Sequence, residues 1–282
     1  MIIDAHRHYW DPARLHYGWL AHAPASLQRA FLPADLAAAD PCLLVQAAPD
    51  ERETRFLFDL ARRSDGVLGV IGWVDLEADD APQRIAALVE EGQGLLRGIR
   101  PMVQDLPDPD WLARPSLDRA FDCLRDHALV FDALVDNRHL RALAQRLARH
   151  AGLVSVVDHG AKPAIAEGQF ASWAGAIARV AQLPDVSCKL SGLLTLAETG
   201  DMAAIEPYVA HLFESFGGQR LIWGSDWPVL TTHSSYERWK SCAQQLTRRF
   251  ARRHENAVFG LNAINTYSLA SRVPATASRI TP

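Results

Sequence analysis

Short apolar runs recur along this chain, and between most of them lies a segment with the 3.6-residue apolar spacing of an amphipathic helix. Cys42–Ala47, Val67–Val74, Leu129–Val135, Leu153–Asp158 and Val186–Leu190 read as strands that are apolar throughout, as expected when both faces are buried. Asp50–Ser64, Ala81–Glu91, Asn137–His150, Gln169–Ala181 and Met202–Phe216 read as the intervening helices, and Ser116 is placed to cap another that runs to His127. The opening Ile2-Ile3 run, the Gly98–Pro101 stretch with its proline stop, and Arg220–Trp223 bring the strand count to eight. Buried strands joined by helical crossovers pair in parallel. Eight such units in 282 residues predict a single α/β domain, a (β/α)8 TIM barrel over residues 1–272, closed by helices between Glu237 and Ala270. The remaining tail, 273–282, is expected to fray.

One segment escapes this rhythm. Tyr9 to Phe31, with Trp10, Pro12, His16, Trp19, His22 and Pro24, lacks a clean helical or strand period and reads as an extended lid after strand one. Its aromatics have two roles open to them, walling a pocket or packing over the barrel end. Formal charge is −4 with a pI near 6.2, which supplies no basic field for nucleic acid or an anionic membrane and leaves a small molecule as the expected partner. No apolar run approaches the roughly 18 residues of a membrane span. Cys42, Cys123, Cys188 and Cys242 are scattered without paired spacing and read as reduced thiols, so a cytoplasmic location is expected. A homo-oligomer is compatible with this composition.

In a (β/α)8 barrel the chemistry gathers at the C-terminal ends of the strands. Read there, strand one offers His6 and His8, strand two Gln46, strand three Trp73 and Asp75, and strand four Arg100. Strand five offers Asp132 and Asp136, strand six Asp158 and His159, strand seven Lys189 and Ser191, and strand eight Asp226. Two histidines two apart on a strand project to one face and can grip one ion together. Each polar residue has a structural rival: a turn hydrogen bond for His159, a helix cap for Asp226. Closure of the barrel sets strand eight beside strand one, so Asp226, His6, His8 and His159 can converge in a set of the kind that holds zinc.

These features together resemble the amidohydrolase superfamily, in its branch of sugar lactonases and dicarboxylate lactonases. The likeness rests on Ile3-Asp4-Ala5-His6-Arg7-His8, Arg97-Gly98-Ile99-Arg100-Pro101, Asp158-His159-Gly160-Ala161-Lys162-Pro163, Cys188-Lys189-Leu190-Ser191-Gly192 and Gly224-Ser225-Asp226-Trp227-Pro228, in register around the barrel. It implies a hydrolase that opens a sugar-acid lactone with an activated water. Strand four ends in Arg100 and strand five has no histidine, which departs from the two-metal members and leaves one divalent ion, Zn or Mn, on His6, His8, His159 and Asp226. Some members of the branch work with little or no metal, so metal-independent activity stays open. On this reading Asp226 is the general base, His159 polarises the carbonyl, and Arg100 and Lys162 hold a carbonyl or carboxylate. Gln46, Trp73, Lys189 and Trp227 are the remaining substrate-binding candidates, with packing or an ion pair as the rival role. The same superfamily contains metal-dependent decarboxylases with similar strand-one and strand-eight motifs, and a non-catalytic binding barrel is the third reading.

Overall fold

The computed structural model describes residues 1–36 and 40–273. Eight parallel strands follow chain order around the barrel: β1 Asp4–Arg7, β2 Cys42–Val45, β3 Val67–Gly72, β4 Leu96–Ile99, β5 Val130–Ala133, β6 Ser155–Val157, β7 Val186–Leu190 and β8 Leu221–Trp223. The ladder is continuous from β1 to β8, and a single bridge between Arg7 and Trp227 returns it to β1. Most strands are shorter than the apolar runs suggest, because each run continues past its last ladder pair into the turn at the barrel mouth. Asp50 caps the Glu51–Arg62 helix by accepting from the Arg52 amide. Ser116 does not cap: it lies inside a Pro115–Leu117 turn, where proline at the first position fixes the turn, and the helix follows as Asp118–Asp126. A short helix, Leu193–Ala197, precedes Met202–Phe216 between β7 and β8 and was not legible, since five residues cannot show a helical period.

The apolar side chains form two bodies. One lies between the strands and the outer helices; the other, with Ile3, Ala5, Leu43, Val45, Ile71, Val156 and Ile222, fills the barrel interior. Ala263, Tyr267 and Leu269 join that interior body. The Ile3 amide donates to the Phe259 carbonyl at 2.7 Å, so the C-terminal helices plug the end of the barrel opposite the strand C-termini. The lid is tied at its base by an antiparallel bridge between Trp10 and Phe31, and 3-10 turns over Gly18–His22 and Ala25–Leu27 replace the missing periodicity, with a third, Pro33–Asp35, just beyond it. Its Trp19 indole donates to the Ala47 carbonyl at 2.8 Å, which docks the lid on the mouth beside β2. The tail expected to fray lies, beyond Val273, outside the described residues.

Candidate active site

Asp4 makes the site's geometry, and nothing in its sequence context announces it. Its Oδ1 accepts from the amides of His6 (3.2 Å) and Ser225 (2.7 Å), and its Oδ2 from Arg7 Nε (3.0 Å) and the Ser225 hydroxyl (2.7 Å). This clamp pins the turn after β8 to β1. The Asp226 amide then donates to the His6 carbonyl and the His8 amide to the Trp227 carbonyl, both at 2.8 Å. Gly224 permits the approach, since a Cβ there would stand 2.6 Å from the His6 Cβ.

The other arm of the site is built by strain. His159, Gly160, Ala161 and Lys162 have φ of 51°, 61°, 60° and 46°, four consecutive left-handed residues of which one is glycine. Each non-glycine residue there costs about 1–2 kcal/mol, and Asp226, at φ 59°, adds another. Pro163 disfavours the right-handed helical region for Lys162, and the Trp173 indole holds the bend through the Gly160 carbonyl at 2.7 Å. Gly192 gives the imidazole room: a Cβ there would come within 2.7 Å of His159 Nδ1. Strain concentrated in the His159–Lys162 bend and at Asp226, which His159 faces, is the pattern of a functional site.

Three imidazole nitrogens and one carboxylate oxygen meet at the mouth. His6 Nε2 and His8 Nε2 are 3.1 Å apart, and Asp226 Oδ1 lies 3.4 Å from His8 Nε2, 3.8 Å from His6 Nε2 and 3.9 Å from His159 Nε2. His8 Nδ1 faces the Val45 carbonyl at 2.7 Å, an acceptor only, so in the neutral ring Nδ1 carries the proton and Nε2 presents a bare lone pair. His159 Nδ1 is fixed by the Ser191 hydroxyl at 2.8 Å. An ion bound at about 2.0–2.1 Å keeps tetrahedral ligands about 3.3–3.4 Å apart, a separation that the 3.1–3.8 Å among His6 Nε2, His8 Nε2 and Asp226 Oδ1 brackets. His6, His8 and Asp226 bring ligand atoms close enough to share one divalent cation, and His159, its Nε2 3.9 Å from the Asp226 oxygen, stands beside that group rather than within it.

Beneath the mouth lies a buried charged column. Lys189, fully buried, pairs with Asp132 and, at 3.0 Å, with Asp158; its Nζ is also 3.1 Å from His6 Nδ1. The Tyr267 hydroxyl donates to Asp132 at 2.8 Å, and Arg100 pairs with Asp158 at 3.3 Å while donating to the Gln46 carbonyl. Burial raises the Asp132 carboxyl against the pull of Lys189, whereas in Asp158 the cost of burial is overcome by Lys189, His6 and Arg100 and the carboxyl is held low. Burial also works against Asp226, but His159, His8 and His6 prevail and keep it ionised below the usual carboxylate range. His159 is lowered to about 4, chiefly by burial, so its ring is neutral near pH 7.

A chamber of about 160 Å³ opens above these groups, lined by His8, Trp19, Ala47, Arg100, Met102, Gln104, Leu134, His159, Lys162, Asp226 and Val229. Of the expected substrate-binding residues, Arg100 and Lys162 are on its wall. Lys189 is not: its ammonium is consumed in the column below, which is a correction to its expected place at the substrate. Gln46 is likewise turned inward, donating to the Arg100 carbonyl at 2.6 Å, and Trp227 packs edge-on against Tyr9 and Phe31 away from the chamber. Trp73 faces a second, larger cavity instead. Asp136 caps the turn at Asn137–His139, and Asp132 belongs to the column. Sequence reasoning missed Asp4, Glu53, Met102 and Gln104. Glu53 accepts from the amides of Ala47 and Ala48 at 2.8 and 2.6 Å and so shapes the rim after β2.

Comparison with known proteins agrees with this geometry. The chain is 42% identical over 278 residues to an L-fucono-1,5-lactonase of Burkholderia ambifaria, covering 95% of each chain. It is 33% identical over 287 residues to an L-fucono-1,5-lactonase of Burkholderia multivorans, covering 95% of this chain and 96% of that one. An amidohydrolase structure from Burkholderia multivorans with bound zinc superposes with a TM-score of 0.88 at 33% identity, over 95% of this chain and 99% of the other. The amidohydrolase family profile matches residues 3–269, and the chain belongs to that family.

Proposed function

We propose that this chain hydrolyses sugar-acid lactones, aldono-1,5-lactones of the L-fucono type foremost among them. The observation that carries the reading is the convergence of His6, His8 and Asp226, with His159 beside them, at the floor of a chamber sized for one small ring. The lactonase names of relatives spanning nearly the whole chain supply the substrate class.

Asp226, ionised and within 4 Å of all three imidazoles, is the base that takes a proton as water oxygen bonds to the lactone carbonyl carbon. His159, with its Nδ1 accepting from Ser191, can direct an Nε2 proton at the developing oxyanion. Lys162, on the chamber wall and without a carboxylate partner among the described residues, stands ready for the carbonyl or a ring oxygen. The bond from the carbonyl carbon to the ring oxygen then breaks, and the proton on Asp226 passes to that alkoxide, leaving the open hydroxy acid. A divalent ion on His6, His8 and Asp226 would lower the pKa of a bound water toward about 7 and add positive charge at the carbonyl, leaving the His159 Nε2 proton free for the oxyanion. Four free thiols support a cytoplasmic location, and no helix among the described residues is long and apolar enough to cross a membrane.

A pH-indicator assay with L-fucono-1,5-lactone tests the reading. Proton release without CO2 is expected. Release of CO2 from an aromatic carboxylate would replace it with the decarboxylase reading, and tight binding without turnover would leave a binding barrel.

A further inference from the structure

Beside the chamber over the histidines lies a larger cavity, of about 750 Å³ against 160 Å³. The chamber is smaller than the roughly 300 Å³ at which ordinary ligand pockets begin, whereas the neighbour sits well inside their range. Trp19 and Met102 line both, so the two spaces meet at one wall. The larger cavity carries the indoles of Trp19, Trp73 and Trp111, each a flat apolar face with a polar edge. Among them stand the carboxylates of Asp50, Asp75, Glu77 and Asp105, with Arg52 as the single arginine on the wall. Arg52 is engaged by Asp50 and Glu77 by Arg114. Asp75 and Asp105 have no such cation among the described residues; each accepts on one oxygen only, from the Glu77 amide and from Gln104 Nε2 respectively. An anionic group would be repelled there. A neutral ring with hydroxyl donors on its edge and a C–H face for an indole matches both features of the wall.

We propose that this cavity is a second sugar subsite, and that the lactones this chain opens include aldonolactones carrying a further neutral sugar ring. The inference rests on the lactonase reading and extends it from one ring to two.

The test compares D-glucono-1,5-lactone with cellobiono-1,5-lactone and melibiono-1,5-lactone, which add a hexose at O4 and O6, alongside L-fucono-1,5-lactone. At least one two-ring lactone is expected to have a KM tenfold or more below that of the glucono parent. Gly18 lies on the wall of the larger cavity in ordinary backbone geometry, and a Cβ there meets nothing closer than 3.7 Å, so Gly18→Phe should partly fill the cavity without strain. That variant should raise KM for the two-ring lactone about tenfold and leave the one-ring lactones unchanged. Trp73→Ala should do the same by removing a platform, which keeps the test decisive if one variant fails to fold. Two-ring lactones left intact by an enzyme that opens one-ring lactones would overturn the inference, as would two-ring KM values no lower than the parent's or wall variants that change both classes equally. Failure to open any lactone would instead overturn the lactonase reading itself.

Discussion

Two groups of ionisable side chains stand one above the other in this barrel, and they solve opposite problems. In the column, Lys189 is matched by Asp132 and Asp158, Arg100 by Asp158, and Asp132 by the Tyr267 hydroxyl. At the mouth, His6, His8 and His159 turn nitrogens toward one another and toward a single carboxylate oxygen, and Lys162 has no carboxylate partner among the described residues. Charges that satisfy each other serve the fold; donors left facing a common point serve a guest. Both groups come from strand ends and both are buried, so neither burial nor residue type separates them. The direction in which each side chain finds its partner does.

If this division is right, removing a member of the column should destabilise the protein and removing a member of the mouth should not. The largest effect is expected for Lys189→Met, which leaves the buried Asp132 with the Tyr267 hydroxyl but no cation and Asp158 with Arg100 as its remaining cation. A loss of about 3–5 kcal/mol is the usual consequence of breaking a buried pair from one side, readable by urea titration. A near-native unfolding midpoint would place Lys189 outside the structural column. His8→Ala should instead lower zinc affinity by at least the roughly 10–100-fold that even outer partners of a metal contribute, with the circular dichroism spectrum kept. Unchanged affinity in a chelator competition would remove His8 from the ligand set. Lys162→Met, lacking a partner to strand, should keep its melting temperature while KM for the lactone rises about tenfold, the value of one charge-assisted hydrogen bond. A loss of stability with KM intact would move Lys162 from the mouth to the fold.

A further effect concerns pH and a group belonging to neither set. Burial pushes the Glu53 carboxyl up to about 8 despite two amide donors, so the folded chain holds a proton that the unfolded chain, near 4.5, has released by neutrality. Its contribution to stability is therefore complete below about pH 4.5 and is lost as the pH rises toward 8, with a slope of at most about 1.4 kcal/mol per pH unit. Glu53→Gln should flatten that slope between pH 5 and 8 in denaturant titrations. An unchanged slope would mean that Glu53 is ionised in the folded protein.

Much of this was legible in the residues. The apolar runs gave eight strands because burial on both faces leaves no polar alternation to confuse with a helix, and the barrel then set His6, His8 and Asp226 within reach of one another with His159 beside Asp226. What could not be read depended on where side chains turn once the strands are in place. Lys189 and Arg100 both lie at strand ends and look equally available, yet one is buried beneath the histidines and the other reaches the chamber wall. Asp4, four bonds deep in the β1–β8 clamp, looks like any aspartate before a histidine motif. The larger cavity was foreshadowed only by the aromatics of Tyr9 to Phe31, since its walls come from segments distant in sequence.

The account turns on Asp226, and Asp226→Asn tests it most directly. Asparagine keeps the shape and most of the hydrogen-bonding reach of the side chain but cannot take the proton from water. With L-fucono-1,5-lactone, kcat should fall by about 10²-fold or more while KM and the melting temperature stay near wild type, measured at saturating metal so that ligand loss is not the cause. Wild-type kcat in that variant would contradict the assignment of Asp226 as the base and, with it, the mechanism proposed for this site.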